Sequence, residues 1–338
     1  MRIRIAFKII FLLGIRKNIA KKRKNMRNLI FKTIVLVIIL ALSSCGRSTG
    51  KSGINGIITF EEFDNLFEKH TGVVSFKIDD GEVEKGQKIV SGQYPHKHPN
   101  GKITFREGCG ASADRISIVD KDGLITPITP CVNTLGLRIP HYEYSKLSPD
   151  GSLLVVEVSQ YIGSSKTYMS IVFDIEGNEI VRHEGFAAPE WLSDNQLLLA
   201  GSAVDNYGLY TTDNNLKNPS KIDNDKLKSF TNNPAVSPSG DQVVFQYNQQ
   251  LWIMDMDGDN LESLIVSGMN LTNPTWSPDG GYLAYLAVDA SANYYKAIYF
   301  YEFDTKEIHM ISTDDVFAHN VYGQFPDPNG PLSWIDIP

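Results

Sequence analysis

The chain has 338 residues with 32 basic and 39 acidic side chains, a formal net charge of −7 at pH 7, 42% hydrophobic residues and three cysteines. Eleven of the basic residues, and no acid, fall within positions 1–44, so the remainder carries 21 bases against 39 acids, a formal charge of −18. Such a surface repels phosphate backbones, which excludes nucleic acid as a partner, and it is too poor in Lys and Arg to adhere to anionic lipid by charge alone.

The leader ends in Ile34-Val35-Leu36-Val37-Ile38-Ile39-Leu40-Ala41-Leu42-Ser43-Ser44-Cys45. A basic segment, an apolar run too short to span a bilayer comfortably and small residues before a cysteine form a secretory signal over 1–44. Leu42-Ser43-Ser44-Cys45 also resembles the bacterial lipobox, which implies cleavage before Cys45 and lipidation of its sulfur. The alternative is a single membrane anchor with a buried free cysteine. Met26 opens a signal of more ordinary length, so the true start is expected there. Gly46, rather than an Asp that resembles an inner-membrane retention signal, points to the outer membrane.

Residues 45–58 are rich in Gly, Ser, Lys and Thr and read as a flexible tether. Thr59-Phe60-Glu61-Glu62 has the spacing of a capping box, with Phe60, Phe63, Leu66 and Phe67 on one helical face, and predicts a short amphipathic helix over 59–72.

From residue 73 onward two signals alternate. One is a turn before an apolar run: Pro99-Asn100-Gly101, Ser148-Pro149-Asp150-Gly151, Ser193-Asp194-Asn195, Ser237-Pro238-Ser239-Gly240, Ser277-Pro278-Asp279-Gly280 and Pro328-Asn329-Gly330. In these units Pro fixes φ, Asp can bond the backbone two residues on, and Gly accepts a positive φ. The closing positions 101, 151, 195, 240, 280 and 330 recur at a period in the forties. The second signal is a hairpin inside each repeat, as in Ile171-Val172-Phe173-Asp174-Ile175-Glu176-Gly177 and Leu251-Trp252-Ile253-Met254-Asp255-Met256-Asp257-Gly258. Its sixth copy, Val73 to Gly81, lies at the start, whereas the sixth turn lies at the end. The pattern predicts an all-β, six-bladed β-propeller over 73–338, closed by N- and C-terminal strands in one shared blade, two from each terminus.

The pairing of Trp276-Ser277-Pro278-Asp279-Gly280 with a downstream Asp-x-Asp-Gly hairpin resembles the WD40-like (PD40) repeats of TolB-type six-bladed propellers, which also occur in prolyl-oligopeptidase-like enzymes. The resemblance spans about residues 73–338. It implies contact with other envelope proteins or peptidoglycan-associated lipoproteins. The chain departs from that family in having a lipid anchor and no room between Cys45 and the first hairpin for a separate N-terminal domain.

Chemistry-bearing motifs are sparse. There is no Gly-x-Ser-x-Gly elbow, no room for a hydrolase domain and no Gly-rich phosphate loop. Asp255-Met256-Asp257-Gly258 fails as a calcium loop because its Gly is fourth rather than sixth. Cys109 and Cys131 are expected on one face of the first complete blade, either as a disulfide or as two separate buried thiols. His96 and His98 have the spacing of two ligands on one strand face. With no third ligand following, they read as a solvated loop, and neither metal nor cofactor is expected.

Loops joining second to third strands, and fourth strands to the next blade, emerge on one face. The binding-face candidates there are Tyr161, Tyr207, Tyr294, Tyr295, His141 and His319, set among Ser, Asn and Gly. The reading is a monomeric, non-catalytic, lipid-anchored envelope propeller that binds a protein or glycan. The alternatives are a polysaccharide lyase or glycosidase using His96, His98, His141 and His319, and a sensor of small ligands in the central channel.

Overall fold

The computed structural model describes residues 53–337 apart from 65–68, 111–112, 136–139, 204, 223–225, 266–267, 289–296, 313–323 and 327–331. The leader, Cys45, Tyr294, Tyr295 and His319 lie outside the described residues. Among those described there is no α-helix, and no helix is long and apolar enough to cross a membrane.

Blade I begins with β1 (Gly56–Asp64), β2 (Lys69–Asp79), β3 (Glu82–Val83) and β4 (Gln87–Val90). Blade II is β5 (Gln93–Lys97), β6 (Ile103–Gly110), β7 (Ala113–Val119) and β8 (Ile125–Pro127). Blade III is β9 (His141–Leu147), β10 (Leu153–Ile162), β11 (Ser165–Asp174) and β12 (Glu179–Glu184). Blade IV is β13 (Phe186–Trp191), β14 (Leu197–Gly201), β15 (Gly208–Thr212) and β16 (Ser220–Lys221). Blade V is β17 (Asn232–Val236), β18 (Gln242–Tyr247), β19 (Gln250–Asp255) and β20 (Glu262–Ile265). Blade VI is β21 (Asn270–Trp276), β22 (Tyr282–Val288), β23 (Ala297–Glu302) and β24 (Ile308–Ser312). The chain returns to blade I through β25 (Gln324–Pro326) and β26 (Ser333–Ile335), both antiparallel to β1.

Blades II–VI are antiparallel four-stranded meanders. Their innermost strands, β5, β9, β13, β17 and β21, touch in sequence, and β26 touches both β21 and β5, so the ring is closed. Closure removes the exposed inner edges that an open array would present.

The described part of the expected helix is strand instead: Gly56–Asp64 pairs with β2 (Lys69–Asp79) through Ile58↔Phe76 and Phe60↔Val74. The segment is needed as the second strand of blade I, and both of its faces are covered, with Ile58, Thr59, Phe60 and Glu61 all buried. Blade I therefore takes three strand positions from the N-terminal side and one, described as β25 and β26, from the C-terminal side, rather than two from each. The ring starts at Gly56, not residue 73, and takes in the end of the expected tether.

The repeated turns act as local clasps. In blade VI, Ser277 Oγ bonds Asp279 (2.6 Å) and accepts from the Tyr282 N–H (2.8 Å), while the Gly280 N–H reaches Ser277 O (2.9 Å). Asp150 in blade III has the same surroundings, where the Ser148 hydroxyl and Ser152 hold its carboxyl well below the usual range. The tryptophan before such a turn joins blades: Trp276 Nε1 donates to Ala235 O and Trp191 Nε1 to Lys146 O, both at 2.9 Å. Gly177 closes the β11–β12 hairpin at φ +90°, and a Cβ there would run into Ile128 O of the neighbouring blade.

Candidate functional site

The innermost strands share a break. Their ladders shift between Gln93 and His96, Ala187 and Glu190, Asn232 and Ala235, and Thr272 and Thr275. Each shift brackets an x-Pro pair: Tyr94-Pro95, Ala188-Pro189, Asn233-Pro234 and Asn273-Pro274. The residue before each proline is left-handed, with φ of 49°, 47°, 47° and 52°. Proline cannot donate to the ladder, so the strand bulges there.

Left-handed backbone is costly for Tyr and Ala, and buried carboxylates on the preceding blade offset the cost. The Tyr94 N–H donates to Glu61 Oε2 (2.9 Å), and the Ala188 N–H donates to Glu157 Oε2. Burial pushes the Glu157 carboxyl up to about 7, with the Ala188 N–H opposing that rise and Glu143 adding to it.

Other side chains tie neighbouring inner strands together. Lys146 Nζ of blade III pairs with Glu190 of blade IV. Asn233 Nδ2 of blade V donates to Asn273 Oδ1 (2.6 Å) and Thr272 Oγ1 (3.1 Å) of blade VI. Burial holds the Glu190 carboxyl above the usual range even though Lys146 is its partner.

A recess between the inner strands is lined by Tyr144, Lys146, Ala188, Pro189, Asn233, Pro234, Asn273, Pro274 and Leu332. Its lining offers an ammonium, a phenol, two amides and flat proline faces. No Ser, Cys, His or carboxylate occurs among the described residues that line it.

The sequence-nominated residues distribute as follows. Tyr161 (40% exposed) stands with Ile162 (56%) at the tip of the β10–β11 hairpin, whose ladder runs unbroken from Leu153↔Asp174 to Ile162↔Ser165. At ten residues each, these strands outreach the five-residue β14 and β15 next door. Tyr207 is half-buried just before β15. His141 opens β9 with Nδ1 3.5 Å from Asp114 Oδ2. Strand order puts all three at the same end of the ring.

Cys109 and Cys131 are joined as a disulfide, with Cα atoms 6.2 Å apart. His98 is buried, its Nε2 3.0 Å from Ser148 O and its Nδ1 accepting the Asn100 N–H. His96 is held well below its ordinary range by burial, then by Lys146 and His98. Among the described residues, His96, His98 and His141 belong to no three-ligand group.

Sequence reading missed the recess. A signal was present, since Pro95, Pro189, Pro234 and Pro274 each lie six residues before the turn-closing residues 101, 195, 240 and 280. The proline is in phase with the turn and marks the bulge.

A family model described as the lipoprotein LpqB β-propeller domain matches residues 225–297, which span blade V and part of blade VI. The TolB of Methylococcus capsulatus, described as a Tol-Pal system protein, is 38% identical over 77 residues, covering 23% of this chain and 17% of that protein. Among solved structures, TolB from Acinetobacter baumannii superposes with a TM-score of 0.57 at 14% identity, over 82% of this chain and 66% of that one. A putative TolB from Agrobacterium tumefaciens gives 0.52 at 13% identity, over 84% of this chain and all of that one. A nidogen/laminin complex structure gives 0.56 at 11%, over 83% and 98%. These likenesses are of fold, and with the repeats and the closed ring they show a six-bladed β-propeller similar in fold to those of the TolB structures.

Proposed function

We propose that this propeller is a non-catalytic binding module of the bacterial cell envelope, lipid-anchored through Cys45, that engages an envelope protein or glycan. The engaged surface is the end of the ring carrying Tyr161, Tyr207 and His141, together with the recess between the inner strands. The observation that carries the reading is the recess, which presents Lys146, Tyr144, Asn233 and Asn273 beside three prolines from neighbouring blades. Such a lining suits an extended chain or a sugar, which need both hydrogen-bond partners and flat apolar walls. The protruding tip with Tyr161 and Ile162 supplies exposed apolar area beside a polar rim. The likeness to TolB and LpqB propellers supports an envelope setting.

Photo-crosslinking in intact envelopes tests this. A photoreactive phenylalanine analogue at Tyr161 or Tyr207 is expected to capture a discrete partner, whereas the same group at Lys121, in an exposed turn at the other end of the ring, is not. Filling the recess with Asn233→Trp, in a variant that keeps its β-sheet circular dichroism, is expected to reduce capture. Equal labelling at all three sites, or none, would refute the binding surface. Cys45→Ser is expected to move the protein from the membrane to the soluble fraction.

A further inference from the structure

We propose that Glu302, Glu307 and His309 form a divalent transition-metal site, fitted to a zinc-class ion, at the seam between blade VI and blade I. The three residues belong to the β23–β24 hairpin. Phe300↔His309 and Tyr301↔Ile308 are paired, and the Glu302 N–H donates to Glu307 O (2.9 Å) across the turn. Glu302 and Glu307 are therefore opposite one another, and His309, two residues beyond Glu307, lies on the same face of the sheet. One ligand atom from each falls within 4.8 Å of the other two.

His309 Nε2 is 3.3 Å from Glu302 Oε2. Two ligands on one tetrahedral zinc, at bond lengths of about 2.1 Å, are separated by roughly 3.4 Å, so this pair already has the spacing of a chelate. The imidazole selects zinc, nickel or copper over calcium or magnesium, which prefer oxygen alone. Glu302 and His309 are mostly shielded, with side-chain exposures of 22% and 17%, while Glu307 is exposed and free to close over the ion.

Outer donors orient the central ligand. The Thr305 hydroxyl bonds Glu302 Oε2 (2.7 Å) and the Tyr282 hydroxyl bonds Oε1 (3.1 Å). Hydroxyl donors of this kind fix the orientation of a ligating carboxylate.

The same tyrosine ties the site to ring closure. Tyr282 packs in the core shared with Ile54, Ile58, Phe300 and Trp334, and a Cβ built on Gly53 would stand 3.2 Å from its hydroxyl. An ion on Glu302 thus braces the wall against which the N-terminal strand of the ring rests, and the role is structural rather than catalytic. This inference does not depend on the proposed partner-binding role.

The test is titration of the full-length, untagged protein in detergent with Zn²⁺ by calorimetry and with Co²⁺ by visible absorption. One Zn²⁺ per chain is expected, with a rise in thermal midpoint that saturates with occupancy. His309→Ala and Glu307→Gln are each expected to weaken binding at least tenfold and to abolish the midpoint shift, while His183→Ala, on β12 of blade III, changes neither. Glu307→Gln carries the test if His309→Ala fails to fold, because Glu307 is exposed. Binding that survives both variants, or no binding at millimolar Zn²⁺, would leave an ordinary ion pair and overturn the site.

Discussion

Blades VI and I share a seam yet are built by opposite means. Blade VI is one unbroken run, Asn270–Ser312, in which each strand pairs with its neighbour in sequence and a Ser-Pro-Asp-Gly turn clasps the first hairpin. Blade I draws its innermost strand from the far end of the chain, joining Ile57 to Ile335 and Thr59 to Ser333. Its two seams also differ. Against blade VI it shares a core of fourteen buried residues that includes Phe60, Phe300 and Trp334, but against blade II the described core is Val73, Ile103, Phe105 and Val119. Polar ties supplement the thin seam: Tyr94 N–H to Glu61, Lys97 N–H to Ser333 Oγ (2.9 Å). A ring of repeats is thus only as secure as the joint where the repeat is broken, and that joint is weakest on its blade II side.

Four experiments break or sharpen this contrast. Deleting residues 332–338 removes the buried Leu332, Trp334 and Ile335, and on burial alone should cost roughly 5–8 kcal/mol in guanidinium unfolding. A loss under 2 kcal/mol would mean that the ring does not need its last strand. Phe105→Ala at the thin seam and Phe300→Ala at the thick one should each cost about 3–5 kcal/mol. Only Phe105→Ala should expose blade I to proteolysis before the rest, so identical cleavage patterns would erase the distinction.

Glu157 tests the polar bracing of the inner bulges. Its carboxyl titrates near 7 when folded and near 4.5 as a free side chain, so the folded state prefers the proton. Stability is therefore undiminished below pH 4.5 and falls as pH rises towards 7, by up to roughly 3 kcal/mol. Glu157→Gln keeps an acceptor for the Ala188 N–H and should flatten that slope in thermal melts taken across the range. The smallest effect is expected from Trp276→Phe, which keeps the ring stacked on Phe303 but loses the bond to Ala235 O, for about 1 kcal/mol.

Much of the ring was legible because its signals are local. Turns such as Pro149-Asp150-Gly151 and Pro278-Asp279-Gly280, and hairpins such as Asp255-Met256-Asp257-Gly258, need only neighbours in sequence to form, and they or their variants recur in phase along the chain. The reading failed where the determining partner is remote. Thr59-Phe60-Glu61-Glu62 has helix-start chemistry, but Glu61 is buried because Tyr94 offers it an N–H and Thr59 because Ser75 Oγ lies 2.6 Å away. Both facts depend on tertiary pairing that no window of sequence contains. The recess and the Glu302–Glu307–His309 cluster were hidden for the same reason, since one needs five blades and the other needs the register of a hairpin. The exposure of Tyr161 at the β10–β11 tip was legible because it follows from turn position.

The interval between β1 and its inner partner has a bearing on how the molecule is made. Strand β1 emerges early in synthesis, yet the edge it must bond to arrives more than two hundred residues later, so the toroid stays unlatched until Ile335 is free. Nascent chains arrested before Leu332 should accordingly remain protease-sensitive in blade I while blades III to V already resist.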